Sequence, residues 1–156
     1  MAERKVPEAL DAEKAVLGSA FLSKTALQKI CDELSSESFY SEANRLIFET
    51  LQELNDSSSA IDITILTSKL NDKKILSRVG NAEYLSELLD SVPSASNFEY
   101  YINIVKEKMV ARKMIETATE IANDAYTYSD SIYDVLDNAE MKMLRIGNMR
   151  KVTEFQ

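Results

Sequence analysis

Apolar residues between positions 11 and 93 recur at intervals of three and four, the spacing that places them on one face of an α-helix. This pattern occurs in five segments. Polar stretches of a kind typical of loops separate them, such as Ser35-Ser36-Glu37-Ser38. We therefore predict a globular head of about five helices over residues 11–93, after a flexible N-terminal tail over residues 1–10. The helices are expected to begin at or just after residues of the types that cap helix N-termini: Asp11, Ser23, Ser41, Asp62 and Asn81.

The chain contains few residues that interrupt helices, since it has two prolines and three glycines. No sustained alternation of apolar and polar residues indicates a β-strand, so we predict an all-α fold. Gly18 stands in the middle of the first predicted helix, where glycine is less favourable than alanine by up to about 1 kcal/mol. A close approach of another helix would explain a glycine at this position.

Residues 94–147 have a different pattern, two long helical segments joined by a short polar turn at residues 127–130. The first segment opens with a capping box at residues 96–99. Two long helices with so short a connection must pack against each other antiparallel. The predicted fold is therefore a helical head followed by a long antiparallel helical hairpin, with residues 148–156 beginning a linker.

An apolar stripe follows each helix of the predicted hairpin, and the hairpin has more apolar surface than one partner helix covers. A second subunit could bury this surplus, as in symmetric oligomers, or the hairpin could fold back on the head of its own chain. The sequence leaves both interpretations open. The residues expected at a subunit interface on the hairpin are Phe98, Ile102, Val105, Met109, Ile132, Val135, Leu136 and Met143.

The chain has 26 acidic and 18 basic residues and a net charge of −8. Because lysine and arginine supply most nucleic-acid affinity, a general DNA-binding surface is disfavoured. A local basic strip could contact nucleic acid, or it could be a solvated face countered by Glu107 and Glu116. We favour the solvated face, because no aromatic residues for base stacking are interleaved with the strip. The strip consists of Lys106, Lys108, Arg112 and Lys113.

Missing residue types exclude several kinds of chemistry. The chain has no histidine and a single cysteine, Cys31, so it cannot form a Cys/His zinc site or a catalytic pair with histidine. We expect Cys31 to pack as a small apolar residue beside Ile30 and Leu34. The sequence has no G-x-x-x-x-G-K-[ST] phosphate-binding loop, so we expect no catalytic, cofactor-binding or metal-binding residues.

The sequence also bears on the location of the protein. No apolar run approaches the roughly 20 residues of a membrane span. The first residues have no apolar segment of the kind found in a signal peptide. We therefore expect a cytoplasmic protein without a membrane partner.

Tyr84, Ile115 and Ile121 are the candidate residues for docking a partner protein. Tyrosine is common at protein interfaces because it combines an apolar ring with a polar tip. The alternative for all three residues is ordinary packing in the core, which we favour for the two isoleucines.

Short blocks along nearly the whole chain carry a family resemblance. They are AEKAVLG at Ala12–Gly18, SFY at Ser38–Tyr40, NRLIF at Asn44–Phe48, IDITIL at Ile61–Leu66, GNAEYLSELL at Gly80–Leu89, VPSASNFEYYINIVKEK at Val92–Lys108 and IANDAY at Ile121–Tyr126. In this order they resemble the N-terminal domain of replicative DNA helicases of the DnaB family. Three positions depart from the family's usual residues, since Asp11, Asn44 and Asn81 stand where glutamate, histidine and glycine are common.

The resemblance implies a helical head and hairpin that pair through the hairpins and form a collar of three dimers above a hexameric motor. The motor would unwind duplex DNA at the replication fork, and the collar would encircle single-stranded DNA and dock primase. A helicase loader is a further candidate partner. ATP and magnesium would bind only the RecA-like motor domain, to which no residue of this sequence corresponds, so this chain should be catalytically inactive.

Two other functions remain as alternatives. The C-terminal helicase-binding domain of bacterial primases has a similar head and hairpin, although the AVLG and VPSASN blocks together argue against it. A stand-alone helical nucleic-acid-binding protein would use the basic strip. No residue supports an enzyme of another type.

Overall fold

The computed structural model describes residues 4–58, 60–92 and 97–154, with the backbone alone from residue 150 onward. Over these residues the chain is helical and contains no β-strand, so the predicted all-α fold is confirmed. The α-helices are α1 (Leu10–Leu22), α2 (Lys24–Glu33), α3 (Glu42–Asp56), α4 (Ile63–Asp72), α5 (Asn81–Asp90), α6 (Phe98–Thr127) and α7 (Ile132–Glu154). Single turns of 3-10 helix at Ser36–Ser38 and Ser77–Val79 precede α3 and α5.

The contacts of the chain divide it into two units. We call residues 8–108 the head, and residues 109–156 together with residues 1–7 the hairpin. The division falls within α6, between Lys108 and Met109, and not at residue 93 as the sequence suggests. The first turns of α6 therefore belong to the head.

The core of the head is one cluster of buried apolar side chains drawn from α1 to α6. Ile102 and Val105 of α6 are each 1% exposed within this cluster, and Phe98 packs against it. The expectation that these residues form a subunit interface is wrong for Ile102 and Val105, because the head of their own chain already covers them. Helical periodicity identifies an apolar face, but it does not say which partner covers that face.

Side-chain caps fix the start of three helices in the head. The hydroxyl oxygens of Ser23 and Ser41 and the carboxylate of Asp62 each accept a hydrogen bond from the backbone N–H three residues further on. The predicted caps at Asp11 and Asn81 are wrong, because both residues lie inside the first turn of their helices, α1 and α5. Gly80 and Asn81 have φ angles of 94° and 61°, a left-handed turn that glycine adopts readily and asparagine tolerates.

Helices α1 and α5 approach each other closely at Gly18. A Cβ atom at this position would lie 2.1 Å from the carbonyl oxygen of Leu88 and 2.7 Å from a methyl group of Val92. Only a residue without a side chain fits there, so the predicted close helix approach is confirmed. The contact also explains why α1 retains a residue that weakens an isolated helix.

In the hairpin, the C-terminal part of α6 packs beside α7. The ammonium group of Lys142 in α7 lies 3.1 Å from the carboxylate of Glu120 and 3.4 Å from that of Asp124, both in α6. Only residues 128–131 connect the two helices, too short a link for any arrangement but an antiparallel one. The antiparallel hairpin is therefore confirmed.

Helix α7 continues to Glu154, past the end that the sequence suggests at residue 147. Residues 148–154 are thus helical in the structure, whereas the sequence suggests a linker without a helical pattern. Two residues expected at helix boundaries lie outside the described part of the chain, Pro93 and Ser96.

Candidate interaction surfaces

The hairpin exposes most of the large apolar side chains that the described residues leave in contact with solvent. In the head, the exposed apolar residues are few and scattered, which is normal for a soluble protein. A concentration of apolar side chains on one unit is typical of a surface that binds another protein. The exposed apolar residues of the hairpin include Met114, Ile115, Tyr126, Tyr128, Ile132, Tyr133, Leu136, Met141, Met143 and Leu144.

Three of the residues expected at a subunit interface form a strip along α7. Ile132, Leu136 and Met143 are 39%, 52% and 41% exposed, and their spacings of four and seven residues place them on one flank of the helix. We call these three residues the α7 strip. Val135 lies beside the strip and is partly buried, whereas Met109 is only 8% exposed and so offers little surface to a second subunit.

Gly147 extends the α7 strip by one more turn. A Cβ atom at Gly147 would meet nothing within 4 Å, in contrast to the crowded site at Gly18. Contacts among the described residues therefore do not explain a glycine here. Because glycine has no side chain, nothing projects from the helix at this position, which lies on the same flank as Leu136 and Met143.

Tyr84, expected to dock a partner, is tied into the head by its hydroxyl group. This hydroxyl donates a hydrogen bond of 2.5 Å to the side-chain carbonyl of Asn44. Burial raises the pKa of Tyr84 to about 12. The tyrosine thus contributes to the structure of the head, while its half-buried ring still faces a surface cleft.

The cleft beside Tyr84 has a volume of about 420 Å³ and lies between residues of α1, α3 and α5. Its lining includes Lys14, whose ammonium group lies 5.6 Å from the centre of the Tyr84 ring and 3.4 Å from the carboxylate of Glu87. Arg78 also lines the cleft and pairs with Glu42. The cleft is open, has both apolar and charged walls, and is not evident in the sequence because its residues are far apart along the chain.

The structure does not bring the three docking candidates into one unit. Tyr84 belongs to the head, whereas Ile115 and Ile121 belong to the hairpin. Ile115 is 54% exposed and Ile121 is partly buried. Core packing, the alternative interpretation, therefore does not apply to Ile115.

Three of the four residues of the basic strip make polar contacts within the chain. In the head, Lys106 lies 3.4 Å from the carboxylate of Glu33, and both side chains are largely buried. In the hairpin, Arg112 donates a hydrogen bond of 2.8 Å to the carbonyl oxygen of Pro7. Lys113 lies 4.0 Å from Glu116, the acid expected to counter it. Lys108 is partly buried. These contacts favour a structural role over a nucleic-acid surface.

Neither a metal centre nor a membrane helix is found in the described part of the chain. No group of three or more histidine, cysteine, aspartate or glutamate residues there is arranged to hold a metal ion. None of the helices, as far as they are described, is both long and apolar enough to cross a membrane. Cys31 packs against the head core as expected, and burial raises the pKa of its thiol to about 11.

Comparison with known proteins gives a consistent result. The family model for the DnaB-like helicase N-terminal domain matches residues 5–107. The chain is 40% identical over 154 residues to the replicative DNA helicase DnaB of Geobacillus stearothermophilus. It is 36% identical over 154 residues to the replicative DNA helicase DnaC of Bacillus subtilis. In both comparisons 99% of this chain is covered, but only 34% of the relative.

Two solved structures share the fold. The N-terminal domain of DnaB helicase from Mycobacterium tuberculosis superposes with a TM-score of 0.84 and 29% identity, covering 90% of this chain and 99% of that domain. A DnaB-like replicative helicase, described with its interactions with primase, gives a TM-score of 0.72 and 26% identity over 88% of this chain and 31% of that protein. The sequence blocks, the head and hairpin, and these matches agree, and the chain belongs to the DnaB-like helicase N-terminal domain family.

Proposed function

We propose that this chain is the self-association and partner-docking domain of a hexameric replicative DNA helicase that unwinds duplex DNA at the replication fork. The observation that carries this proposal is the exposed α7 strip on a hairpin that has no further helix to cover it among the described residues. The chain spans about a third of the length of the helicases that it matches, so the motor activity would belong to the remainder of such a protein. The helicase relatives favour this function over that of a primase domain.

Self-association would bury the α7 strip against a second copy of the hairpin. Ile132, Leu136 and Met143 present three large apolar side chains along one flank, and burying such surface is the main source of favourable free energy in association. Gly147 would allow a second helix to approach at the end of the strip. A two-fold symmetric pair uses the same surface on both subunits, and three such pairs would build the collar of a hexamer.

Docking of primase would use surface that self-association leaves free. The DnaB-like helicase solved with a description of its interactions with primase covers 88% of this chain with the same fold, which supports primase as a partner. The candidate residues are Tyr84 at the cleft of the head and the exposed Ile115 on the hairpin. A helicase loader is a second candidate partner, and single-stranded DNA would be encircled by the assembled hexamer.

A pair of variants matched in exposure tests the self-association surface. Leu136 and Met141 are 52% and 53% exposed on α7, but five residues at about 100° each place them about 140° apart around the helix. We expect Leu136→Asp to lower the solution mass to that of the monomer, because a buried unpaired charge opposes association. Met141→Asp should leave the mass unchanged, and both variants should retain their helical circular dichroism. Equal masses for the two variants would overturn the assignment of the strip.

Binding to immobilised primase tests the docking proposal separately. The unaltered chain should bind, and Tyr84→Ala and Ile115→Ala should weaken binding without lowering the solution mass. Tyr100→Ala, at a tyrosine of the head that is 65% exposed and does not line the cleft, serves as the control. Binding of the chain to an assembled helicase collar instead of primase would favour the primase-domain alternative. The chain should also show no ATP hydrolysis above background, since it lacks a phosphate-binding loop.

A further inference from the structure

The turn of the hairpin exposes three tyrosines within eight residues. Tyr126 in the last turn of α6 is 89% exposed, Tyr128 in the connection is 51% exposed, and Tyr133 in the first turn of α7 is 73% exposed. An exposed tyrosine ring leaves apolar surface in contact with water, and tyrosine is enriched where proteins bind one another. We call these three residues, with the acidic residues between positions 130 and 137, the hairpin end.

The charge of this part of the chain has one sign. Between Met114 and Met141 there is no lysine or arginine. Every charged residue in that stretch is acidic, namely Glu116, Glu120, Asp124, Asp130, Asp134, Asp137 and Glu140. The hairpin end therefore presents a negative potential to its surroundings, and that potential would attract a positively charged partner.

Lys142 compensates two of the acids of α6, Glu120 and Asp124. Lys142 lies 3.1 Å from Glu120 and 3.4 Å from Asp124, and these hydrogen-bonded carboxylates raise the pKa of Lys142. Asp130, Asp134 and Asp137 are exposed, and they form no ion pair with any residue that the structure describes. These three acids of the connection and of α7 are thus available to a ligand.

We infer that the hairpin end docks an arginine- and lysine-bearing segment of another protein. A guanidinium group can stack on the face of a tyrosine and at the same time pair with a neighbouring carboxylate. Tyr133 and Asp137 are four residues apart in α7, a spacing that places them on one face of the helix. Nucleic acid does not fit, because its phosphates would be repelled by the acids. The proposed self-association would use another surface, the α7 strip.

Tyr133 of the hairpin end and the α7 strip lie on different flanks of α7. Tyr133 follows Ile132 by one residue and is therefore turned about 100° around the helix from the strip. The inference does not depend on the proposed self-association, because a monomeric hairpin would present the same tyrosines and acids.

The probe for a test is a labelled peptide in which arginine alternates with alanine, compared with the same peptide carrying glutamate in place of arginine. Fluorescence anisotropy with the unaltered chain should show binding of the arginine peptide and none of the glutamate peptide. The double variant Tyr126→Ser/Tyr133→Ser retains every charge and should bind the arginine peptide about tenfold more weakly. Asp130→Asn/Asp134→Asn should weaken binding and also reduce its dependence on salt.

The control is Tyr100→Ser, which removes a tyrosine of the head that is 65% exposed and should leave peptide binding unchanged. If the double tyrosine variant binds the arginine peptide as tightly as the unaltered chain, only general charge is acting and the inference is overturned. If that variant instead loses its oligomeric mass, a second copy of this chain covers the hairpin end and the inference is again overturned. Loss of peptide binding at unchanged mass supports it.

Discussion

The side-chain amide of Asn44 in α3 donates a hydrogen bond of 2.9 Å to the carboxylate of Glu13 in α1, and both residues are 1% exposed. The same carboxylate accepts hydrogen bonds from the backbone N–H groups of Tyr40, at 2.8 Å, and Ser41, at 3.4 Å. The side-chain carbonyl of Asn44 in turn accepts a hydrogen bond from the hydroxyl of Tyr84 in α5. One buried acid therefore connects α1 to the start of α3 and, through Asn44, to α5 beside the cleft.

Removal of the Glu13 side chain should destabilise the head. Glu13→Ala leaves three donors without this acceptor, among them the buried amide of Asn44, and we expect the free energy of unfolding to fall by about 3 kcal/mol in urea denaturation. The matched control is Glu87→Ala, at a side chain that is 61% exposed in its ion pair with Lys14. That change should cost less than about 1 kcal/mol, as expected for a surface ion pair. Equal losses for the two variants would show that the Glu13 network is unimportant.

The two helical glycines should respond in opposite ways to alanine. Gly18→Ala would place a methyl group against the backbone of α5, and we expect it to lower the free energy of unfolding by about 2 kcal/mol or more. In the monomer, at low protein concentration, Gly147→Ala meets nothing within 4 Å and should stabilise α7 by up to about 1 kcal/mol. Thermal denaturation followed by circular dichroism measures both. A stabilising Gly18→Ala would contradict the close approach of α1 and α5.

The Cys31 thiol should react slowly in the folded protein. Burial, with smaller contributions from Asp56 and Asp32, raises the pKa of Cys31 to about 11, and the thiolate is the reactive form. At pH 8 the thiolate fraction should be roughly a hundredfold lower than in the unfolded chain. Alkylation by iodoacetamide, with and without denaturant, measures the difference, and equal rates would contradict the burial of this residue.

The same shift sets the sign of a pH effect on stability. A folded-state pKa above the ordinary value means that the folded protein holds the thiol proton more tightly than the unfolded chain does. The stabilisation is therefore complete below the ordinary pKa of 9.0, and it is lost as the pH rises from there to about 11. The variant Cys31→Ala should therefore lose less free energy of unfolding than the unaltered chain as the pH rises from 9.0 to about 11.

Features that depend on neighbours along the chain could be predicted from the sequence. The caps at Ser23 and Asp62, the close helix approach at Gly18 and the hairpin all follow from local spacing or from a residue type with one dominant use. The boundary of the head could not be predicted, because the apolar stripe of Ile102 and Val105 fits either a head core or an oligomer. Only tertiary packing decides between these.

The Glu13 network was missed for a related reason. Its partners lie far along the chain, and an acid in the first turn of a helix is also explained by the helix dipole. One signal was present, since Glu13 shares a helix face with Val16 and Leu17, which are both fully buried. A carboxylate on a buried apolar face needs hydrogen-bond donors from other parts of the chain. The acidic, tyrosine-bearing hairpin end is visible in the sequence, but its exposure is not.

The solution mass of the unaltered chain, measured by light scattering over a wide range of concentrations, tests self-association through the hairpin most directly. A monomer has a mass of 17.6 kDa. We expect twice this mass as the concentration rises, or an equilibrium between dimers and hexamers, because the exposed α7 strip has no cover within the described chain. A mass that stays at that of the monomer at the highest concentration would contradict self-association and would leave the domain as a docking platform alone.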